Sequence, residues 1–488
     1  MKVEEINSFL QSIYLQPKPL QATDLRKCHT VLLHDTIAAI ATPSGRGGVG
    51  IIRVSGPAAE SIARRIFVPK QQNCSWQSHQ LYHGDIISPD SKNILDEVLV
   101  ALMRGPHSFT GEDVLEINCH GSPLIMQAIL SQLVQFGCRL AKPGEFSQRA
   151  FLNGRMDLSQ AEALAALVAA QSEKACAISL AHLKGDLGTE IEKLRLTLID
   201  ILALTEAAID FTEDISALDT PGILPEIENT IERLQLLLDS YRKAKIYTEG
   251  LNVVITGKPN VGKSSLLNTL TGKKRAIVTD IPGTTRDFVT GRIDILGIPV
   301  NLVDTAGIRQ PQDIIEKAGI DLVWENLASA DLAIIIFDGS KPLTSEDLAI
   351  FSGIVTKKRL VAINKTDLPP AWGINDLGQL PQDCKILKIS AKFGMGIDEL
   401  KEAIVDNTDG DKEENAAAVM ITSLRHKVAL EKALGNIQSA RESIAGGISP
   451  EFPAFELRQA LDDLDEITGK KIDDAILDKI FSSFCIGK

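Results

Sequence analysis

The octet Gly257-Lys-Pro-Asn-Val-Gly-Lys-Ser264 limits what this chain can fold into more than any other stretch. Before it, Leu251-Asn-Val-Val-Ile-Thr256 is a short β-branched run that reads as a buried strand; after it, Ser265-Leu-Leu-Asn-Thr-Leu270 reads as a helix. Strand, glycine-rich loop and helix in that order make a phosphate cradle. The glycines let the backbone curl until successive N–H groups point inward, and the helix N-terminus adds the positive end of its dipole. Asn260, Val261, Gly262, Lys263, Ser264 and Ser265 are then the expected contacts, with Lys263 reaching the β/γ-phosphates and Ser264 holding Mg²⁺.

Three further pieces follow in order. Asp304-Thr-Ala-Gly307 comes after the apolar strand Pro299-Val-Asn-Leu-Val303. There Asp304 can orient Mg²⁺ and Gly307 can meet the γ-phosphate, with Thr305 and Ala306 between them. Asn364-Lys365-Thr366-Asp367 ends another strand, Arg359-Leu-Val-Ala-Ile363. A buried Asp367 carboxylate would accept bonds from guanine N1–H and the 2-amino group. Adenine would leave it unpaired, a discrimination of about 10⁴. Ser390-Ala391-Lys392, after Cys384-Lys-Ile-Leu-Lys-Ile389, can support guanine O6 from its backbone. Four such motifs on alternating strands read as a GTP site.

At 488 residues and 44% apolar, the chain can hold two to four domains with several cores. No apolar run approaches the roughly 18 residues of a membrane span, and a secretory start is lacking, so the expectation is a cytoplasmic protein with no membrane partner. The seven cysteines are scattered with no Cys-x-x-Cys pair, which predicts buried free thiols for most and no zinc site. A net charge of −13 argues against non-specific coating of nucleic acid, which depends on neutralising phosphates with Lys and Arg.

Along the chain, residues 1–34 have no sustained period. Thr36-Ile-Ala-Ala-Ile-Ala41 and Ile51-Ile-Arg-Val54 read as strands around a glycine-rich turn. That turn lacks a Gly-Lys-Ser ending and leads into a strand, so a hairpin-like connection is expected rather than a second nucleotide loop. Strands over 97–102 and 113–118, with helices over 58–66 and 123–136, make an α+β domain. From Phe146 the texture turns Ala/Leu-rich and helical: 158–170, 173–185, 187–211 and, after the break at Pro221-Gly222, 227–247. Helical periodicity resumes over 423–445 and 453–484, so the nucleotide segment, about 249–407, reads as an insertion into one helical bundle.

Several stretches together resemble the tRNA uridine modification GTPase family called MnmE or TrmE, over about 36–488. They are Thr36 to Pro43 with Gly45-Arg-Gly-Gly-Val-Gly-Ile-Ile-Arg53, Ser108-Phe-Thr-Gly-Glu-Asp113, Pro143 to Asn153, the inserted segment and Phe484-Cys-Ile-Gly-Lys488. The resemblance implies a multidomain fold. It has an α+β tetrahydrofolate-binding-like N-terminal domain (35–150) after an unassigned extension (1–34), and a helical-bundle domain (151–248 and 408–488) split by an inserted Ras-like α/β P-loop G domain (249–407). It further implies a K⁺-stimulated GTPase that works as a homodimer. With an FAD-containing partner of the MnmG (GidA) type, in a heterotetramer, such a protein adds a (carboxymethyl)aminomethyl group to C5 of the wobble uridine of certain tRNAs. A tetrahydrofolate derivative, 5-formyl or 5,10-methylene, would supply the one-carbon unit.

Residue roles follow from the same likeness. Ile308 stands where many small GTPases carry a water-orienting glutamine, and an apolar side chain cannot do that work. By resemblance Asn260 coordinates K⁺, with Thr279, Ile281 and Thr284 lining the same loop; a plain loop-capping role for Asn260 stays open. Asp280, Pro282 and Gly283 belong to that nucleotide-facing segment, and Thr285 completes the Mg²⁺ shell. Glu316 matches the family's water-activating carboxylate, while Arg286 and Arg309 read equally as phosphate-binding or interface groups and as surface charges. In the N-terminal domain Glu116 is the expected acceptor for the paired N–H donors of a reduced pterin; Arg53, Arg155 and Lys488 are cationic folate contacts. Cys485 would serve the modification as nucleophile or organiser; a buried structural thiol is the bland alternative. Two other functions remain: a GTPase switch in ribosome assembly or cell regulation, and a folate-dependent transferase with an idle G domain.

Overall fold

The computed structural model describes residues 35–71, 75–88, 93–210, 220–272, 291–304, 330–353, 358–373, 384–407 and 419–487. The chain divides into two compact units, 1–162 with 472–488, and 163–471.

In the first unit the elements run β1 (Ile37–Ile40), β2 (Val49–Ser55), α1 (Ala59–Ile66), β3 (Phe67–Pro69), β4 (Gln80–Ile87), β5 (Ile94–Met103), β6 (Val114–His120), α2 (Pro123–Gln135), β7 (Arg139–Leu140) and α3 (Glu145–Leu152). Alternation decides the faces. On β5, Val98, Val100 and Leu102 point into a core shared with Ile62 and Ile66 of α1 and Ile129 and Leu133 of α2, while Glu97 and Leu99 point out. The strands form one sheet in the order β3-β4-β5-β6-β2-β1-β7, with β1 and β2 antiparallel (Ile37↔Ser55) and β7 parallel to β1. The glycine-rich turn therefore joins an antiparallel pair. Strands β3, β4 and β7 escape sequence reading because they are very short or carry polar residues on both faces. On the outward face, Val49, Leu81 and Leu99 are exposed.

A buried charge cluster ties α3 to the sheet. Arg149, 2% exposed, reaches Asp35 (2.5 Å), Glu112 (3.2 Å) and Glu145 (3.1 Å), and Arg139 also holds Glu145. Burial works against the Glu145 charge, but bonds from Arg139, the Lys142 N–H and Arg149 outweigh it and hold the carboxyl below its ordinary range. A carboxylate held low in the folded state contributes stability above its ordinary value and loses it as pH falls through the folded one, so acid weakens this unit. Arg149→Met strips Glu112 of its cation and leaves Arg139 alone to hold both Asp35 and Glu145 in the buried cluster. The expected cost is about 3–5 kcal/mol, read as faster hydrogen exchange in β1 and β2; unchanged exchange would show the cluster to be dispensable.

The second unit contains α5 (Glu173–Leu183), α6 (Asp186–Asp210) and α7 (Thr220–Glu249), following α4 (Leu158–Ala169), which begins before the unit boundary. Helix α7 starts seven residues ahead of the expected Ile227, with Pro221 in its first turn, where a missing N–H leaves no bond unmade. The nucleotide segment adds β8 (Leu251–Thr256), α8 (Lys263–Thr271), β9 (Gly291–Ile295), β10 (Ile298–Asp304), β11 (Leu332–Asp338), α9 (Ser345–Gly353), β12 (Arg359–Asn364), β13 (Lys385–Lys388) and α10 (Ile397–Asp406). Then come α11 (Leu424–Ala445) and α12 (Glu451–Thr468). Leu194, Leu198, Ile227, Leu234, Leu430, Ile437, Leu457 and Leu464 place α6, α7, α11 and α12 in one core, so the helices on either side of the nucleotide segment pack together.

That segment is a sheet in the order β13-β12-β11-β8-β10-β9, parallel except for β9. Strand β11, Leu332-Ala-Ile-Ile-Ile-Phe-Asp338, is buried on both faces up to Phe337. Helices α8 and α10 cover one side through Leu266, Leu270, Leu400 and Ile404, and Phe351 of α9 covers the other. Since β8 lies between β10 and β11, the crevice beyond its carboxyl end is the topological switch point, where such sheets bind ligands.

The helical run 453–484 is two helices. Gly469 caps α12 in the left-handed region (φ +81°), and Asp473 then accepts the Ala475 N–H at 2.7 Å to start α13 (Asp474–Ser482). Residues 472–487 belong to the first unit, not to the bundle that periodicity alone would assign them to. The bundle residues and α13 share one helical pattern, and only the tertiary contacts tell them apart. Among the described residues no helix is long and apolar enough to cross a membrane.

Candidate nucleotide site and the N-terminal centre

The loop after β8 has the conformation its glycines predict. Gly257 has φ +145°, and a Cβ there would lie 2.4 Å from the Ile336 carbonyl oxygen; Gly262 has φ +105°, and a Cβ would lie 2.2 Å from Asn364 Nδ2. Asn260 also sits in the left-handed region, at φ +65°. The Lys263 ammonium, 7% exposed, donates to the Gly257 and Lys258 carbonyls at 2.7 Å each, and Ser264 and Ser265 open α8 on its exposed side. Lys258 points elsewhere: it bonds Thr344 and pairs with Asp347 (3.1 Å) ahead of and within α9.

Asn364 holds two loops together. Its Nδ2 donates to the Val261 carbonyl (2.8 Å) and its Oδ1 accepts the Ala391 N–H (2.9 Å), while Thr269 of α8 donates to the Ala391 carbonyl (2.6 Å). Ser390 Oγ donates to Asp367 Oδ1 at 2.6 Å and so aims the carboxylate. Asp367 is exposed, not buried as expected, because it lies past the end of β12 at the open edge of the sheet. Lys365, at φ +66°, donates to the Asn260 carbonyl (3.0 Å) and to Asp338 Oδ2 (2.6 Å). Sequence reading missed Asp338. Its burial opposes the charge, yet Lys365 and Ser340 hold its carboxyl below the ordinary range. The signal available was an aspartate closing the apolar run of β11 at the same edge as the phosphate loop.

Among the expected nucleotide residues, 260–265, 364–367 and 390–392 therefore converge on the carboxyl ends of β8 and β12. Asp304 closes β10 in register with Ile255, beside that crevice. Thr279, Asp280, Ile281, Pro282, Gly283, Thr284, Thr285, Thr305, Ala306, Gly307 and Glu316 lie outside the described residues, as does Lys488. Gly262→Ala introduces a strained φ and a methyl where Asn364 Nδ2 stands. GTP affinity should fall about 100-fold, from roughly 1–3 kcal/mol of strain and a broken buried bond of similar worth; a fluorescent-nucleotide titration that matches the parent would contradict this.

In the first unit Arg53 and Glu116 face each other across β2 and β6. Arg53 Nε and Nη2 both reach Glu116 Oε1, at 2.9 and 2.7 Å, and Nη1 donates to the Gly487 carbonyl at 3.1 Å. The guanidinium lies over Phe109 and Phe146, 5.6 and 5.8 Å from their ring centres. Arg155 is turned to the Ser108 carbonyl (3.0 Å), one residue from Phe109. Cys485 is exposed, and so is Cys176; Cys384 is half-buried. Only Cys119 and Cys138, among the described cysteines, are the buried thiols expected for most, and burial pushes both up to about 11.

Comparison with known proteins gives matches over both parts of the chain. A family model described as GTP-binding protein TrmE N-terminus matches residues 36–155, and one described as MnmE helical domain matches 158–485. A protein of Syntrophus aciditrophicus (strain SB) named tRNA modification GTPase MnmE is 48% identical over 457 residues, 94% of this chain and 100% of that protein. One of the same name from Geotalea uraniireducens (strain Rf4) is 45% identical over 461 residues, 93% of this chain and 100% of its own length. A crystal structure of Aquifex aeolicus Era bound to GDP.AlF4- is 28% identical over 38% of this chain and 66% of that one, at a TM-score of 0.27, too low for shape to carry weight.

Proposed function

The chain belongs to the MnmE family of tRNA modification GTPases, and on that premise we propose that it hydrolyses GTP to drive modification of the wobble uridine of certain tRNAs. The observation that carries this reading is the match at 48% identity along the whole length of a relative so named, flanking domains included. A G domain alone would leave the work done by hydrolysis open.

At the nucleotide centre, Lys263 and the N–H groups of 260–265 bind the phosphates, and Asp367, aimed by Ser390, selects guanine. Ser264, Thr285 and Asp304 are the Mg²⁺ residues in this proposal; Asn260, Thr279, Ile281 and Thr284 would hold K⁺. A monovalent cation there supplies positive charge against the phosphates, the part an arginine finger plays elsewhere. Glu316 would activate water, since Ile308 cannot.

At the N-terminal centre, Glu116 would accept the N–H donors of a 5-formyl- or 5,10-methylene-tetrahydrofolate, with Arg53, Arg155 and Lys488 around it and Cys485 serving the modification. A folate so held supplies a one-carbon unit. The exposed apolar residues Val49, Leu81 and Leu99 on the outward sheet face support a homodimer through this unit. An FAD-containing partner of the MnmG type would complete a heterotetramer that adds the (carboxymethyl)aminomethyl group in the cytoplasm. Mass analysis of tRNA from cells lacking the protein tests this: wobble uridines should be unmodified. Fully modified tRNA beside defective ribosomal subunits would replace this reading with that of an assembly switch.

A further inference from the structure

The last residues of the chain are seated on the N-terminal sheet by three separate devices. Aromatic packing anchors α13: Phe481 and Phe484 are buried, 5.3 Å apart between ring centres, and Phe481 lies 6.3 Å from Phe151 of α3. Two glycines then let backbone meet backbone. Gly144 (φ +68°) donates to the Cys485 carbonyl at 3.4 Å, and a Cβ on it would lie 2.4 Å from the Phe481 carbonyl oxygen. Gly487 (φ +89°) is buried so closely on β1 that a Cβ would lie 2.6 Å from the Ile40 carbonyl oxygen. The third device is Arg53.

All three of Arg53's bonding nitrogens are used within the protein: Nε and Nη2 on Glu116 Oε1, Nη1 on the carbonyl of Gly487. Its flat face rests over Phe109 and Phe146. The planar fork fixes the angle between these bonds, so the place of Glu116 sets the place of residue 487, two residues from Cys485. A lysine at this position would carry the same charge, but as a point on a flexible stem it could not impose that angle.

We propose that Arg53 is a positioning residue for the tail: by joining the Glu116 carboxylate to the Gly487 carbonyl it fixes where Cys485 stands on the N-terminal sheet. Its part in the reaction rests on the reading above that Cys485 serves the modification. Anchoring of the tail does not. A ligand that presents N–H donors to Glu116 draws on the same carboxylate Arg53 uses, so occupancy of that carboxylate and the register of the tail are linked through one guanidinium.

The experiment separates the two levels. Limited chymotrypsin cleavage after Phe484, buried while the tail is seated, is followed by loss of residues 485–488 in the intact mass, on the full chain. Arg53→Lys should speed that loss at least about tenfold, the worth of one charge-assisted hydrogen bond. Gly487→Ala, which cannot seat against Ile40, should do so as well. In the modification assay with the partner protein, Arg53→Lys should lower kcat with KM for tRNA unchanged. If Gly487→Ala frees the tail but Arg53→Lys does not, the proposal is overturned, and the glycine alone seats the tail. If both free the tail and kcat is kept, Arg53 still anchors the tail, and the role given to Cys485 in the reaction fails instead.

Discussion

Asp367→Asn should lower the affinity for GTP by about 10³-fold and raise that for xanthosine triphosphate, whose 2-oxo group accepts a bond where guanine donates one. The carboxylate is exposed and held through one oxygen by Ser390, so leaving it without a base costs less than leaving a buried one unpaired. The expected discrimination is for that reason about tenfold smaller than the 10⁴ that a buried carboxylate would give. Competition titrations with GTP, XTP and ATP on the parent and the variant measure it directly. A variant that keeps full GTP affinity would move base recognition away from Asp367.

The second large effect concerns the monovalent cation. In NaCl at the ionic strength of KCl, kcat for GTP should drop by roughly 10³-fold, the lower end of what an arginine finger contributes, and Asn260→Ala in KCl should drop with it. The structural ground is that Asn260 is held in a strained conformation, φ +65°, with its carbonyl bonded by Lys365, which Asp338 fixes in turn. Equal turnover in the two salts would leave Asn260 with the capping role alone.

Strands β8, β10, β12 and β13 and helix α8 were legible because each motif sits at a change of period, where a β-branched run stops at Gly257, Asp304 or Asn364; β9, β11, α9 and α10 carry no motif and went unread. What composition could not show was the bracing between motifs distant in the chain. Asn364 bonding Val261, or Asp338 fixing Lys365, is a matter of which strand ends lie side by side, and strand order is not written in any one strand. The tail was misleading for a related reason: 453–484 has one helical period throughout, and only Gly469 marks where α12 stops before α13 packs on another unit. Nor could one strand show that Glu116 has Arg53 for a partner, which follows from the register of β2 on β6.

Gly250 is all that separates the thirty-residue helix α7 from β8, and at φ +85° it lies against the Pro299 carbonyl, where a Cβ would come within 2.6 Å. A rod about 45 Å long is thus welded, with no slack, to the strand that bears the phosphate loop. Tilting that strand by about 5° would swing the far tip of the rod by about 4 Å. Any tilt of β8 would for that reason be magnified at the far end of α7, inside the core of the helical bundle.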